Sequence, residues 1–375
     1  MEEKKRLQEL AGLFLKLGII GFGGPAAHIA MMREEVVEKR KWLSEQSFLD
    51  LIGATNLIPG PNSTEMAIHI GHERAGWKGL LVSGVCFIFP AVVLTAGFAW
   101  LYKEYGQLPE IQPFVYGIKP AIIAIILMAV FPLAKKSFKT IELGLIGLVT
   151  LTLSLLHYNE IAIMFGAGIF VLLKAMLQKK QTLSLVPIFL ISFSKSTILA
   201  VSNWNLFLIF FKIGAILYGS GYVLFAFLDA ELVAKGLLSR STLIDAIAVG
   251  QFTPGPVFSS VTFIGYQIKG WSGALVATLA IFIPSFLFVA LLNPLVKKMR
   301  NSKLFSGFLD AVNVASVTII IAICFQMGKD SITDWRTILI AVVSLLSLYF
   351  YRKLNSAFIV IGGALLGYGL TLFAV

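Results

Sequence analysis

The run FIVIGGALLGYGLTLFAV, from Phe358 to Val375, carries no charge. Ile338–Phe350 is also uncharged, and Gly117–Leu133 holds a single lysine. A helix that crosses ~30 Å of hydrocarbon needs roughly 20 mainly apolar residues. In lipid, backbone polar groups must be satisfied internally, which leaves helices and closed barrels. The runs are continuous rather than alternating, so a barrel is excluded. A chain that is 57% hydrophobic and 14% charged is an all-α polytopic membrane protein.

The net charge of +11 sits in short loops, where it sets orientation rather than binding nucleic acid. The start, MEEKKRLQEL, does not read as a signal peptide, so insertion through an internal span into the plasma membrane is expected. Cys86 and Cys324 lie in apolar runs and suggest neither a disulfide nor a metal site. There is no GxxxxGK[ST] run for nucleotide and no HExxH or paired-carboxylate motif. No cofactor and no enzymatic chemistry are expected.

Two halves can be laid over one another. FLKLGIIGFGGP from Phe14 matches FFKIGAILYGSG from Phe210, which aligns Lys16 with Lys212 and Gly23 with Gly219. Further on, Asp50 matches Asp245, Asn56 matches Gln251, and Pro59-Gly60-Pro61 matches Pro254-Gly255-Pro256. Gly71, Gly76-Trp77, Gly79 and Pro90 then match Gly265, Gly270-Trp271, Gly273 and Pro284. This is a tandem duplication. The basic loops Lys135–Lys139 and Lys297–Lys303 are expected in the cytoplasm, whereas their counterparts, Lys329–Arg336 and Lys103–Glu110, have mixed charge. The bias swaps sides between halves, which predicts two inverted-topology repeats. We divide the chain into a repeat at 1–180, a connecting transmembrane helix at 181–201 and an inverted repeat at 202–375. The N-terminus is expected inside and the C-terminus outside.

The segments around Pro-Gly-Pro are too short to span. Glu45–Ile58 and Asn62–Gly71 lie between charged flanks of one side, as in a re-entrant helical hairpin. GFGGP (Gly21–Pro25) and YGSGY (Tyr218–Tyr222) break two further helices. Such backbone at membrane depth is tolerated where it is buried in protein or lines a wet cavity. Pro25 and Pro61 suit the starts of half-helices, whose N–H groups and dipole attract anions. Asn62, Ser63 and Thr64, with Ser259 and Ser260, can cap those starts or donate to a ligand. Gly23, Gly24, Gly60, Gly219, Ser220, Gly221 and Gly255 let backbone approach it. Asn56 and Gln251 are uncharged donors suited to an oxyanion. The pattern predicts one anion site where the broken tips meet near the midplane. Kinks between packed helices would use the same residues.

Phe22-Gly23-Gly24-Pro25, His28, Arg33, Trp42 and Pro59-Gly60-Pro61 together resemble the chromate ion transporter family. TPGPVFSS, IGYQIKGWSGAL and IFIPSF carry the resemblance into the second half. It implies a carrier for chromate, with sulfate as a second candidate, exporting chromate from the cytoplasm. Two departures stand out: Tyr218-Gly219-Ser220-Gly221 replaces an FGGG-like run, and Glu65 stands where glutamine is common.

Ionisable residues in apolar surroundings complete the candidates. Glu65 either binds a proton that accompanies the anion or caps its own helix. Lys16 and Lys212 either draw in an oxyanion from opposite sides of one cavity or snorkel to the interface. His28 is a proton-coupling candidate or a packing residue. Arg33 guards the cytoplasmic entrance or pairs with adjacent glutamates. The reading is a secondary active, ion-gradient-coupled oxyanion transporter in the lipid bilayer, with a homodimer permitted. A passive anion channel and an intramembrane enzyme acting on a lipid phosphate are the rivals.

Overall fold

The computed structural model describes residues 2–179, 202–219, 221–300, 302–351 and 354–372. The connecting helix expected at 181–201 and the candidate Ser220 lie outside them. The first half contains α1 (Glu2–Ile20), α2 (Gly24–Arg33), α3 (Glu45–Thr55), α4 (Asn62–Tyr105), α5 (Gln112–Ser137), α6 (Ile141–Leu155) and α7 (Glu160–Lys179). The second contains α8 (Asn203–Ile216), α9 (Val223–Leu228), α10 (Arg240–Phe252), α11 (Ser260–Arg300), α12 (Lys303–Ser331), α13 (Trp335–Phe350) and α14 (Ser356–Leu372). Among the described residues, seven helices in one half answer seven in the other.

The correspondence extends to irregularities. A π-helical turn follows α2 at Glu34–Lys39 and α9 at Asp229–Val233. Ser44 and Ser239 cap α3 and α10, each accepting the N–H three residues on. Such caps satisfy donors that helix geometry leaves unpaired. Thr140 and Asp334 do the same for α6 and α13. Helix α4 is broken at Ala75 (φ −148°) and Gly76 (φ 58°), and α11 at Lys269 (φ −142°) and Gly270 (φ 62°). Both glycines take a left-handed conformation that side chains resist. At each break the chain turns back on itself. A side chain on Gly71 would strike Gly79, and one on Gly265 would strike Gly273. Thr262 and Thr278 share a 2.7 Å hydrogen bond across the second turn.

Contacts between the halves are reciprocal. The Gly60 N–H donates to Leu217 O, and the Gly255 N–H donates to Gly21 O, each at 2.8 Å. Each Pro-Gly-Pro loop is therefore hydrogen-bonded to the broken first helix of the other half. Helix α5 packs on α13 and α14, while α12 packs on α6 and α7. The long helices α4 and α11 cross each other, with Gly84 against Phe286. The principal hydrophobic core runs through both halves, from Ile122 and Ile161 to Phe263 and Ile320.

Among the described residues, five helices are long and apolar enough to cross a membrane, and α6, α8, α13 and α14 are shorter apolar helices. Large apolar side chains line their outer faces, among them Leu81, Val85 and Phe89 on α4 and Phe131 on α5. The molecule is an all-helical multi-span membrane protein of two halves. Pro25 falls in the first turn of α2, as its missing N–H favours. Pro61 is one place earlier than that expectation and stands at the N-cap of α4.

Candidate functional site

A polar cavity of about 260 Å³ lies where the two halves meet. One wall is the first Pro-Gly-Pro loop, through Asn56, Ile58 and Asn62. The opposite wall is the second half's broken helix, through Tyr218 and Gly219. The end of α5 adds Lys136 and the loop after it Lys139, and α12 adds Asp310, Asn313 and Ser316.

The loop's geometry follows from its sequence. Gly60 adopts φ +137°, and Pro61 closes the N-terminus of α4 with no side-chain cap. The Thr64 and Glu65 N–H groups reach back to Pro61 O. The N–H groups of Asn62 and Ser63 have no intrahelical acceptor, which is how a helix start presents donors. Asn62 Nδ2 donates to Asn56 Oδ1 at 2.9 Å, and Asn56 Nδ2 donates to Ile52 O at 2.9 Å. The two amides are thus held in a fixed orientation at the cavity wall. Lys139 Nζ is 2.7 Å from Asp310 Oδ1, whereas Lys136 makes no ion pair among the described residues. Two lysines against one aspartate leave one excess positive charge, matched to an anion.

Behind the loop lies Glu65, fully buried. Among the described residues neither of its carboxylate oxygens has a partner in full hydrogen-bond geometry. Ser285 of α11 sits beside it, on the same side of Gly60, and is the polar side chain nearest to hand for that carboxyl among the described residues. A buried carboxyl with no cation is costly to keep charged.

The structure brings Asn56, Asn62 and Gly219 to the cavity, but Ser63 and Thr64 turn into the protein and are buried. Gly23, Gly24, Pro25, Gln251, Gly255, Ser259 and Ser260 do not line it. The second Pro-Gly-Pro start is covered instead. Val257 is buried where the first copy presents Asn62, Phe258 takes the place of the buried Ser63, and Thr95 Oγ1 donates to Ser259 Oγ at 3.3 Å. Gly221 packs loosely on Phe258. The four breaks therefore meet crosswise in two pairs, and one pair opens to the cavity.

Lys16 and Lys212 do not face it either. Each pairs with the matched glutamate of its own π-turn, Lys16 with Glu35 at 3.0 Å and Lys212 with Glu231 at 2.6 Å. The Lys16 ammonium holds the Glu35 carboxyl below the ordinary carboxylate range. His28 Nε2 lies 2.8 Å from Gly21 O, and its ring meets Phe87 edge-on. Gly21 O also takes the Gly255 N–H, so His28 braces a junction between halves. Arg33 forms a two-pronged pair with Glu45, at 2.9 and 2.8 Å, and contacts Glu38.

Lys136, Lys139, Asp310, Asn313 and Ser316 were missed by sequence reasoning. The lysines belong to the loop Lys135–Lys139, which reads equally well as an orientation signal. Asp310 had a usable signal, being the acid in a helix that is otherwise uncharged from Leu304 to Gly328.

The fold defines a multi-span membrane protein of two repeated halves, with a cavity between them whose walls carry two lysines and one aspartate among the described residues. The sequence model of the chromate transporter family matches residues 8–172 and again 204–368. The chain belongs to the chromate transporter family. It is 33% identical to the "Chromate transport protein" of Cupriavidus metallidurans, over 96% of this chain and 92% of that one. It is 32% identical to the "Probable chromate transport protein" of Synechococcus elongatus, over 96% and 95%. It is 26% identical to the "Chromate transport protein" of Pseudomonas aeruginosa, over 96% and 91%. No solved structure matches it.

Proposed function

We propose that this protein is a secondary carrier that moves chromate, and other tetrahedral dianions such as sulfate, from the cytoplasm to the outside. The observation that carries the reading is the cavity, where an uncapped helix start and two oriented amides face Lys136 and Lys139. Fixed donors with a surplus cation suit a dianion that must also leave. The relatives named for chromate transport supply the substrate.

Inverted topology is supported by contact register. Ser259 meets Thr95 and Gln267 meets Ala99, so the first arm of α11 runs alongside the end of α4 in the same direction. After the break at Lys269-Gly270 the second arm returns. The long arms of α4 and α11 then point in opposite directions, as matched helices do in inverted repeats. The short α3 and the short first arm of α4 support a re-entrant hairpin. Positive-inside bias assigns the Lys135–Lys139 loop, and with it the cavity, to the cytoplasm. In this reading Glu65 exchanges the coupling proton behind the anion.

Uptake of radiolabelled chromate and sulfate into proteoliposomes, with and without a pH gradient, tests the reading. Wild type should show saturable counterflow, and Asn62→Ala and Lys136→Gln should each raise the half-saturating concentration about tenfold. Movement of neither anion would overturn it, and single-channel currents would make the protein a channel.

A further inference from the structure

Lys139 and Asp310 belong to different halves yet meet at the cavity, with side chains 54% and 29% exposed. An ion pair in this position could serve only to tie the halves together. The twin position argues otherwise. Tyr116 occupies in α5 the place of Asp310 in α12, and it too reaches the start of the next helix of the other half. There it donates its hydroxyl to Asp334, the N-cap of α13. The tie is therefore made on one side by a neutral phenol on a carboxylate. Only beside the cavity is it made by a lysine and an acid. Asp334 does have a cation nearby, Arg336 at 3.8 Å, but that arginine belongs to the same half. Architecture needs a link between the halves here, but it does not need a cation of one half on an acid of the other.

The chemistry of the pair follows. Among the described residues, Lys139 is one of two cations that an oxyanion in the cavity would meet, and Asp310 is the one carboxylate on its walls. A lysine ammonium has three donors. The carboxylate takes one of them and cancels its charge locally. An oxyanion must either share Lys139 or displace Asp310 from it. Lys136, without a carboxylate of its own, gives the anion an initial foothold. Amides from Asn56, Asn62 and Asn313 add direction but no net charge.

Resting on the carrier reading above, we infer that Asp310 is the specificity-determining residue of the cavity: it competes with the oxyanion for Lys139 and so sets both affinity and the preference for divalent over monovalent anions. Coulomb attraction scales with ligand charge, so removing one wall charge acts more strongly on a dianion than on a monoanion. Tight binding is not an advantage to a carrier that must release its cargo. An acid that weakens the site therefore has a use.

The test is equilibrium binding of radiolabelled sulfate to the full-length protein in nanodiscs, with perchlorate as the monovalent competitor. Asp310→Asn should tighten sulfate roughly fivefold. It should tighten perchlorate by clearly less. Lys139→Gln should weaken sulfate, and Asp310→Asn should tighten sulfate less in that background than in wild type, because only the wall charge, and no lysine to release, is then left to act. A structural tie would behave differently, with Asp310→Asn lowering the thermal midpoint and leaving affinity unchanged or weaker. That result overturns the inference, as does equal tightening of both anions or an additive double variant. Wild type that binds neither anion would overturn the carrier reading as well. Wild type that binds sulfate with Asp310→Asn unchanged would overturn this inference alone.

Discussion

Gly60 concentrates several demands in one residue. Its φ of +137° is closed to side chains, its N–H ties the two halves, and a β-carbon would strike the Glu65 carboxyl and lie 2.7 Å from Ser285 Oγ. Gly60→Ala should cost at least ~2 kcal/mol, read as a lowered thermal midpoint in detergent. Glu65 makes a different prediction. Glu65→Gln keeps the shape but cannot exchange a proton. It should retain anion counterflow and lose the response to a pH gradient; a response equal to wild type would remove Glu65 from the coupling. Glu35 contributes to stability instead. Its carboxyl is held low by Lys16, so its contribution is present above the ordinary carboxylate range and is lost as pH falls through its lowered folded value. Midpoints measured between pH 7 and pH 3 should fall less steeply in Glu35→Gln than in wild type.

At the scale of elements, the two halves solve one problem with opposite charges. Arg33 at the end of α2 grips Glu45 at the start of α3 through Nε and Nη2. In the second half Asp229 stands at the place of Arg33 and Arg240 at that of Glu45, again bonded through Nε and Nη2. The clamp matters, and its polarity does not. Arg33→Glu should weaken the fold, and Arg33→Glu with Glu45→Arg should recover the midpoint. Exposure makes the twins unequal, since Asp229 is 4% exposed and Arg33 is not buried. Arg240→Ala strands a buried carboxylate and should cost about 3 kcal/mol, well above Arg33→Ala. The sequence made much of this scale legible. Proline, glycine and matched spacing located the breaks at Gly21–Pro25 and Pro59–Pro61 to within a residue or two, because those residues act through local backbone conformation. Gly76 and Gly270 were matched by alignment, but their role as reversals was not read, since φ at a glycine is settled by what packs on either side. The partners of Lys16, Lys212 and His28 were likewise out of reach, because residues 19 or more apart, or across a break, meet only in three dimensions. The cavity was legible in part. Asn56, Asn62 and Gly219 announce themselves by their place beside a break, whereas Lys139 and Asp310 gain meaning only when α12 lies against the end of α5.

At the scale of the molecule the halves are interlocked rather than merely adjacent. Helix α5 is packed by α13 and α14, and α12 by α6 and α7. Chains covering 1–179 and 202–375 should co-purify when expressed together, and each should aggregate when expressed alone; a stable first half would show that the crossed packing is dispensable. Crossed packing also constrains the order of events during synthesis. The small-residue seam of α5, where Gly117 lies against Gly363 and Gly367, has its partner roughly 250 residues downstream. At ~5–20 residues per second that partner emerges about 12–50 seconds later. For that interval α5 sits in the bilayer with an unfilled groove, open to any helix that carries small residues. A ribosome stalled between α7 and α14 would hold the protein in its most error-prone state, so the price of crossed halves is a long apprenticeship in the membrane before α5 finds its partner.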